Sequence, residues 1–187
     1  MAVTAYTLAR FVADLREVAG PAADPAQILV RVPPLARELA LAKRWLEPHH
    51  FTGDAEQGFG VHLLHEEPDH TLAVFALAWL PGRGARPHNH RTWSVVVGVE
   101  GEERNTFWKR TDDGARPGRA TLVKQSERVF GPGEVVTLGP EGIHSVVNET
   151  DRITVSLHVY GMHLNYTGRS QFDPERGLEE AYIVKVV

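Results

Sequence analysis

The sequence contains no cysteine. Disulfides, thiolate-ligated zinc and a cysteine nucleophile are therefore excluded, and any reactive sulfur has to arrive with a substrate. No apolar run approaches about 18 residues, so no transmembrane helix and no membrane partner is expected. Charge of one sign is also lacking. The 20 Lys and Arg against 24 Asp and Glu give a formal net charge of −4, interspersed along the chain, and a nucleic-acid partner would call for a basic face. The first twenty residues lack the basic, apolar and small-residue order of a signal peptide, which predicts a cytoplasmic protein. Low-complexity linkers and internal repeats are absent. A chain of 187 residues is long enough for one domain with a sizeable core, and the expectation is a single domain, 1–187.

What is present divides into a helical first part, residues 1–50, and a β-rich remainder, 59–187. Leu8, Phe11, Val12 and Leu15 recur at helical spacing and predict a helix over Thr4–Val18, stopped by Gly20-Pro21. Asp24-Pro25 opens a second helix, with Asp24 as N-cap and Pro25 in the first turn. Pro33-Pro34 is expected to break it, and Leu35, Leu39, Leu41 and Trp45 then form a third helix ending near Pro48. From about Phe59, short β-rich runs alternate with Gly, Pro and Asp. They are Gly60–His65, Thr71–Leu80, Thr92–Val99, Glu102–Lys109, Ala120–Val129, Glu134–Leu138, His144–Asn148 and Ile153–Tyr160. That spacing predicts an all-β sandwich or barrel. Arg110–Arg119 reads as a solvated hairpin loop. The tail from Gly168 begins as loop and is expected to end in an apolar strand, Tyr182–Val187.

Two groups of polar residues stand out against this background. His88 and His90, in Arg86-Pro87-His88-Asn89-His90, precede the apolar run from Trp93 to Val99 and are placed at the start of that strand. Residues i and i+2 of a strand share a face, so both imidazoles can reach one ion. A third imidazole, His144 in Pro140-Glu141-Gly142-Ile143-His144, would complete a three-histidine site with open positions, a metal centre suited to chemistry. Ten histidines also make an HxH spacing possible by chance, and His49, His50, His62, His65, His70 and His163 are taken as non-ligands. The second group is Ser156, His158 and Tyr160, which alternate with Val155, Leu157 and Val159 and so share one face of one strand. If that face is inward, the three need partners, because a buried unpaired polar group costs about 1–3 kcal/mol, and they can bond to one another. The alternative is an outward polar edge.

Gly82, His88-Asn89-His90 and Gly101 resemble the first motif of the cupin superfamily. Pro140-Glu141-Gly142-Ile143-His144 with Asn148 resembles the second, one residue short. The usual first motif carries a glutamate ligand where this chain has Ser94 or Val95, which leaves three neutral imidazoles. A three-histidine cupin followed by Ser156-Leu157-His158-Val159-Tyr160 resembles the thiol dioxygenases, the group of cysteine dioxygenase and 3-mercaptopropionate dioxygenase, over roughly Phe59–Asp173. His62-Leu63-Leu64-His65, Trp79-Leu80-Pro81-Gly82 and Gly98-Val99-Glu100-Gly101-Glu102 look like its bacterial branch.

The resemblance implies a mainly β cupin-type double-stranded β-helix (jelly-roll) barrel with N-terminal α-helices. It implies Fe(II) held by His88, His90 and His144, and transfer of both atoms of O2 to the sulfur of a small thiol, giving a sulfinate without external reductant. Tyr160 would donate a hydrogen bond to substrate or oxygen, oriented by His158 and Ser156. The family's cysteine branch has an arginine on the strand preceding the first metal motif, and Gly60-Val61-His62-Leu63 has none. The mercaptopropionate branch uses an arginine after the tyrosine strand, where Arg169 stands as the substrate-binding residue, its alternative being an ordinary surface arginine. That branch also places a glutamine near Val61, which is lacking here, with His62 the nearest polar residue. A bulkier or doubly acidic thiol such as mercaptosuccinate is therefore also open. Tyr160 would act without the thioether crosslink of the cysteine branch. The competing readings are a three-histidine cupin that cleaves diketones, a non-catalytic cupin that binds a small ligand, and, more weakly, a zinc hydrolase, for which Glu141 is the nearest acid. The chain is expected as a monomer or small homo-oligomer.

Overall fold

The structure is a computed structural model that describes residues 6–20 and 23–187. Two helices precede eleven strands among the described residues. Helix α1 (Leu8–Ala19) starts at Thr7, whose hydroxyl accepts the Arg10 N–H. Thr4 and Pro21, which the sequence assigns to this helix and its stop, lie outside the described residues. Helix α2 (Pro25–Ala42) is capped by Asp24, whose carboxylate accepts the Ala26 N–H, and ends at Lys43 in the left-handed conformation.

The expected break at Pro33-Pro34 does not occur; the second and third helices of the sequence reading are one. An interior proline costs about 3 kcal/mol or more. Against this, Ile28, Val32 and Leu39 are buried on a single stripe with Ala36 and Ala40, each large side chain contributing about 1.5–3 kcal/mol by leaving water. Pro34 is exposed, as is Val30, whose carbonyl loses its intrahelical donor there. Water can take over that carbonyl, and the packed stripe carries the helix through. A 3₁₀ turn, Pro48–Phe51, closes the helical part.

The strands form two antiparallel sheets. In one the order is β1 (Phe59–His65), β2 (Thr71–Trp79), β9 (Thr154–Met162), β4 (Ser94–Glu100), β7 (Val135–Leu138). In the other it is β11 (Leu178–Ala181), β10 (Ser170–Asp173), β3 (Gly84–His88), β8 (Ile143–Val147), β5 (Glu103–Arg110), β6 (Leu122–Phe130). This is the mainly β, cupin-type jelly roll with N-terminal helices that the sequence implied, eight of its strands lying where the β-rich runs predicted. Strand parity sets its layers. On β2, β4 and β9, one face (Val74, Ala76, Ala78, Val95, Val97, Val99, Val155, Leu157, Val159) packs against both helices. The opposite face of β2 and β9 (Ala73, Phe75, Leu77, Trp79, Tyr160) packs inward with Phe59, Val61, Ala85 and Val146. Ser156 and His158 share that inward face and are buried.

Two assignments are corrected. His88 closes β3, a strand the sequence did not reveal, and His90 lies two residues beyond it, so the pair ends one strand instead of opening β4. The tail Tyr182–Val187 pairs in no ladder. Its N–H groups are taken by side chains, Val184 by Asn165 and Lys185 by Gln57, and at Val187 by the Val61 carbonyl.

Candidate metal centre

Strand β3 brings His88 directly opposite His144 of β8 in antiparallel register. The approach is close because β3 begins on a glycine. A Cβ at Gly84 would lie 1.9 Å from the Val146 carbonyl oxygen. After His88 the chain is tied to β10, since Asn89 N–H donates to the Ser170 carbonyl and its side-chain oxygen accepts the Ser170 N–H. That clamp delivers His90 to the same point. One nitrogen from each of His88, His90 and His144 lies within 4.8 Å of the others, and all three side chains are buried.

Each ring is held from behind at Nδ1. His88 donates to the Arg86 carbonyl at 2.8 Å, His90 meets the Ser94 hydroxyl at 3.0 Å, and His144 donates to the Asn105 side-chain oxygen at 2.9 Å. This leaves Nε2 as the inward atom, and for His90 and His144 it is buried with no hydrogen-bond partner. Burial, reinforced by the neighbouring imidazoles and Arg169, pushes His88 and His90 well below the ordinary histidine range; His144 falls to about 3, first through burial and then through Arg169. The rings are therefore neutral, as metal ligands must be. Three neutral, pre-oriented nitrogen donors, two of them otherwise orphaned, fit a divalent transition-metal ion with open positions.

Ser94 supports His90 from behind. Asn105 was not singled out from the sequence; the only signal for it is its place on the inward parity of β5. Replacing Asn105 with alanine should weaken metal binding about 10- to 100-fold, as loss of an outer partner typically does. Calorimetric titration with Zn(II) or Co(II) checks this, and an unchanged affinity would mean the bond to His144 does not orient the ligand.

Beside the cluster, Ser156, His158 and Tyr160 form the line their spacing allows. Ser156 Oγ lies 2.9 Å from His158 Nε2, and His158 Nδ1 lies 2.7 Å from the Tyr160 hydroxyl. Burial lowers His158 to about 3 and pushes the Tyr160 phenol well up. Tyr160 stands opposite Ser94 in the β4–β9 register, and its ring centre is 5.0 Å from that of His90.

Arg169 precedes β10 and is buried, not a surface arginine. Its guanidinium stacks over Tyr182 at 4.1 Å, while Nε and Nη2 are buried without partners. No acid among the described residues pairs with it. Together with His88, His144, His158 and Tyr160 it lines a cavity of about 10 Å³, room for roughly one water. Tyr182 and Val184 of the tail form part of the wall. His62 faces the other way, its Nε2 bonding to the Thr52 carbonyl beside His49 and His50, whereas Val61 packs inward. Glu141 is exposed and pairs with Arg91, away from the three imidazoles, so it is not placed as a base.

Fold and site thus define a class: a cupin-type jelly-roll barrel with a buried three-histidine cluster able to bind a metal ion. No protein-family model matches the chain. Similar solved structures include an oxalate oxidase in complex with the substrate analogue glycolate (18% identity over 64% of this chain and 54% of that one, TM-score 0.45). The DMSP lyase DddQ from Ruegeria pomeroyi is another (20%, 66% and 56%, 0.48), as is a cupin 2 conserved barrel protein from Salinispora arenicola (21%, 58% and 80%, 0.43). The chain spans about half the length of the first two. At these identities the likeness does not extend to ligand or reaction. No described helix is long and apolar enough to cross a membrane.

Proposed function

We propose that the chain is a thiol dioxygenase that adds both atoms of O2 to the sulfur of a small mercapto-carboxylic acid, with Fe(II) held by His88, His90 and His144. The observation that carries this reading is the unpaired, buried guanidinium of Arg169 in the same cavity as His88, His144 and Tyr160, with His90 completing the imidazole cluster. A buried cation without a counter-charge is costly unless a ligand brings one. The planar fork of arginine suits a carboxylate.

The iron would supply the redox chemistry joining O2 to sulfur. The protein's part follows from its own groups. The neutral imidazoles would bring no negative charge to such an ion, so an anionic substrate would be favoured beside it. Arg169 binds the other end of the substrate and fixes the reach from carboxylate to sulfur. The Tyr160 hydroxyl, held by His158, offers a hydrogen bond where charge develops. Walls of Phe59, Leu77, Val146 and Leu164 keep water out. The reaction R–S⁻ plus O2 giving R–SO2⁻ balances in atoms and electrons, so no reductant site is required. The buried cation favours a mercapto-carboxylic acid, whether 3-mercaptopropionate-like or mercaptosuccinate-like, over an uncharged diketone.

The test is oxygen consumption by anaerobically Fe(II)-reconstituted protein against 3-mercaptopropionate, mercaptosuccinate, L-cysteine, cysteamine and acetylacetone. Uptake with a mercapto acid, matched by sulfinate, is expected. Uptake with acetylacetone alone would instead indicate carbon–carbon cleavage. Silence on every compound from iron-loaded protein, with ligand-dependent stabilisation retained, would leave a binding cupin.

A further inference from the structure

At about 10 Å³ the cavity beside Arg169 has room for roughly one water. A mercapto-carboxylic acid fills far more, so a wall has to move before one can enter. Phe59, Leu77, Trp79 and Val146 stand in sheet ladders, and displacing any of them breaks backbone pairing. The walls outside the ladders are Leu164, Arg169, Tyr182 and Val184. Of these, only Tyr182 and Val184 also line a second cavity, an open basin of about 550 Å³ that shares Phe59 and Ala85 as well. The two cavities therefore adjoin across the tail. Its backbone meets other backbone only at its two ends, where Tyr182 N–H donates to the Arg169 carbonyl and Val187 N–H to the Val61 carbonyl. Between them, the Asn165 amide clasps both the N–H and the C=O of Val184, at 3.0 and 2.9 Å, and the Gln57 side-chain oxygen takes the Lys185 N–H at 2.8 Å. A few side-chain bonds thus hold this wall where ladders hold the others, and local opening follows such differences.

The closed form also buries the Arg169 guanidinium under the Tyr182 ring, at 4.1 Å, with Nε and Nη2 unpaired. Opening lets water reach those two donors. A carboxylate bound to them removes that gain, so it should favour the closed form. The basin suits an anion. Arg83 and Arg86 line it without a carboxylate partner, and its one acid, Glu56, is taken up by Lys185. We propose that Tyr182–Val184 is the door between basin and cavity: an anionic substrate enters from the basin when this segment lifts off Arg169, and pairing of its carboxylate with Arg169 closes the segment over it. What passes through the door rests on the dioxygenase reading. The movement itself does not, and it is tested without turnover.

The chain has no cysteine, so an introduced one is its sole thiol. Val184→Cys places it on the door, and Val146→Cys places it on a ladder wall of the same cavity; the two valines are buried alike, 5% and 4% exposed. The full-length variants are kept metal-free, which leaves the new thiol no ion to bind, and are reacted with dithiodipyridine under native conditions. Val184→Cys should react at least about 100-fold faster, because it needs only local opening, whereas Val146→Cys waits for the sheet to open. Propionate, which has the carboxylate but no sulfur, should slow Val184→Cys and leave Val146→Cys unchanged. Removing the clasp with Asn165→Ala should speed Val184→Cys by about 5- to 150-fold, the effect of losing two hydrogen bonds. Gln57→Ala acts in the same direction and serves if Asn165→Ala does not fold. Equal rates for the two thiols, or a Val184→Cys rate that ignores propionate, overturn the proposal. Absence of oxygen uptake by iron-loaded protein on every thiol would sink the dioxygenase reading and leave the labelling result standing.

Discussion

Replacing His144 with alanine is expected to abolish stoichiometric metal binding, with an affinity loss of at least about 100-fold, the upper figure for an outer partner and a lower bound for a direct ligand. His144 supplies one of three nitrogens within 4.8 Å of one another, and no acid among the described residues stands by to replace it. The variant also strands Asn105, whose buried side-chain oxygen receives the His144 Nδ1 proton. An orphaned buried acceptor costs about 1–3 kcal/mol, so the metal-free variant should be less stable than metal-free wild type by that order. The metal-dependent part is separable. Metal at 100 times its Kd stabilises the wild type by about 2.7 kcal/mol, and His144→Ala should show almost none of this gain at the same concentration. Elemental analysis after dialysis and denaturant unfolding with and without Zn(II) read the two effects apart. Full metal content in His144→Ala would mean that the three imidazoles are not the binding set.

How much of this was legible in the sequence depended on whether a residue's partner lies near it in the chain. The line from Ser156 to Tyr160 was readable because alternation with Val155, Leu157 and Val159 fixes a shared face, and its bonds are local. His88, His90 and His144 stood out by spacing, although the strand that aims them did not. Gly84–His88 holds a proline, two arginines' worth of neighbours in Arg83 and Arg86, and no β-branched residue, so it carries no strand signal. The Val-rich tail carried that signal but forms no ladder, although its Val187 N–H bonds to the Val61 carbonyl of the edge strand β1. Pro33-Pro34 misled because a local breaker was weighed without the buried stripe that overrides it. Asn105 was invisible for a different reason. Glu102–Lys109 read as a β-rich run, but its mixed polar residues did not say which of them face inward. Only the register of β5 sends Glu103 and Asn105 inward while Arg104 faces Glu149. Alternation of polar with polar residues leaves no hydrophobic period to read.

The second large effect concerns Arg169, where stability and function should move in opposite directions. Substitution by methionine removes a positive charge that is buried without a counter-charge, while an apolar stem keeps the contact with Tyr182. Burial already works against the charged guanidinium. Replacing an uncompensated buried charge with an apolar side chain of similar reach generally stabilises a fold. Arg169→Met should therefore raise the denaturant midpoint of the metal-free protein. Catalysis should suffer, because a substrate carboxylate entering the cavity loses its only cation. Truncating one side of a buried, hydrogen-bonded charge pair costs about 2–5 kcal/mol, which predicts a fall in kcat/KM for 3-mercaptopropionate of roughly 30- to 5000-fold. A thiol without a carboxylate, such as cysteamine, never had that interaction to lose, so the ratio between the two substrates should collapse. Arg169→Lys keeps the charge but not the planar fork and should fall between. An arginine retained only to hold the Tyr182 tail in place would behave differently: its loss would lower stability and affect both thiols equally. The opposed signs, together with the substrate selectivity, distinguish a carboxylate receptor from a structural brace.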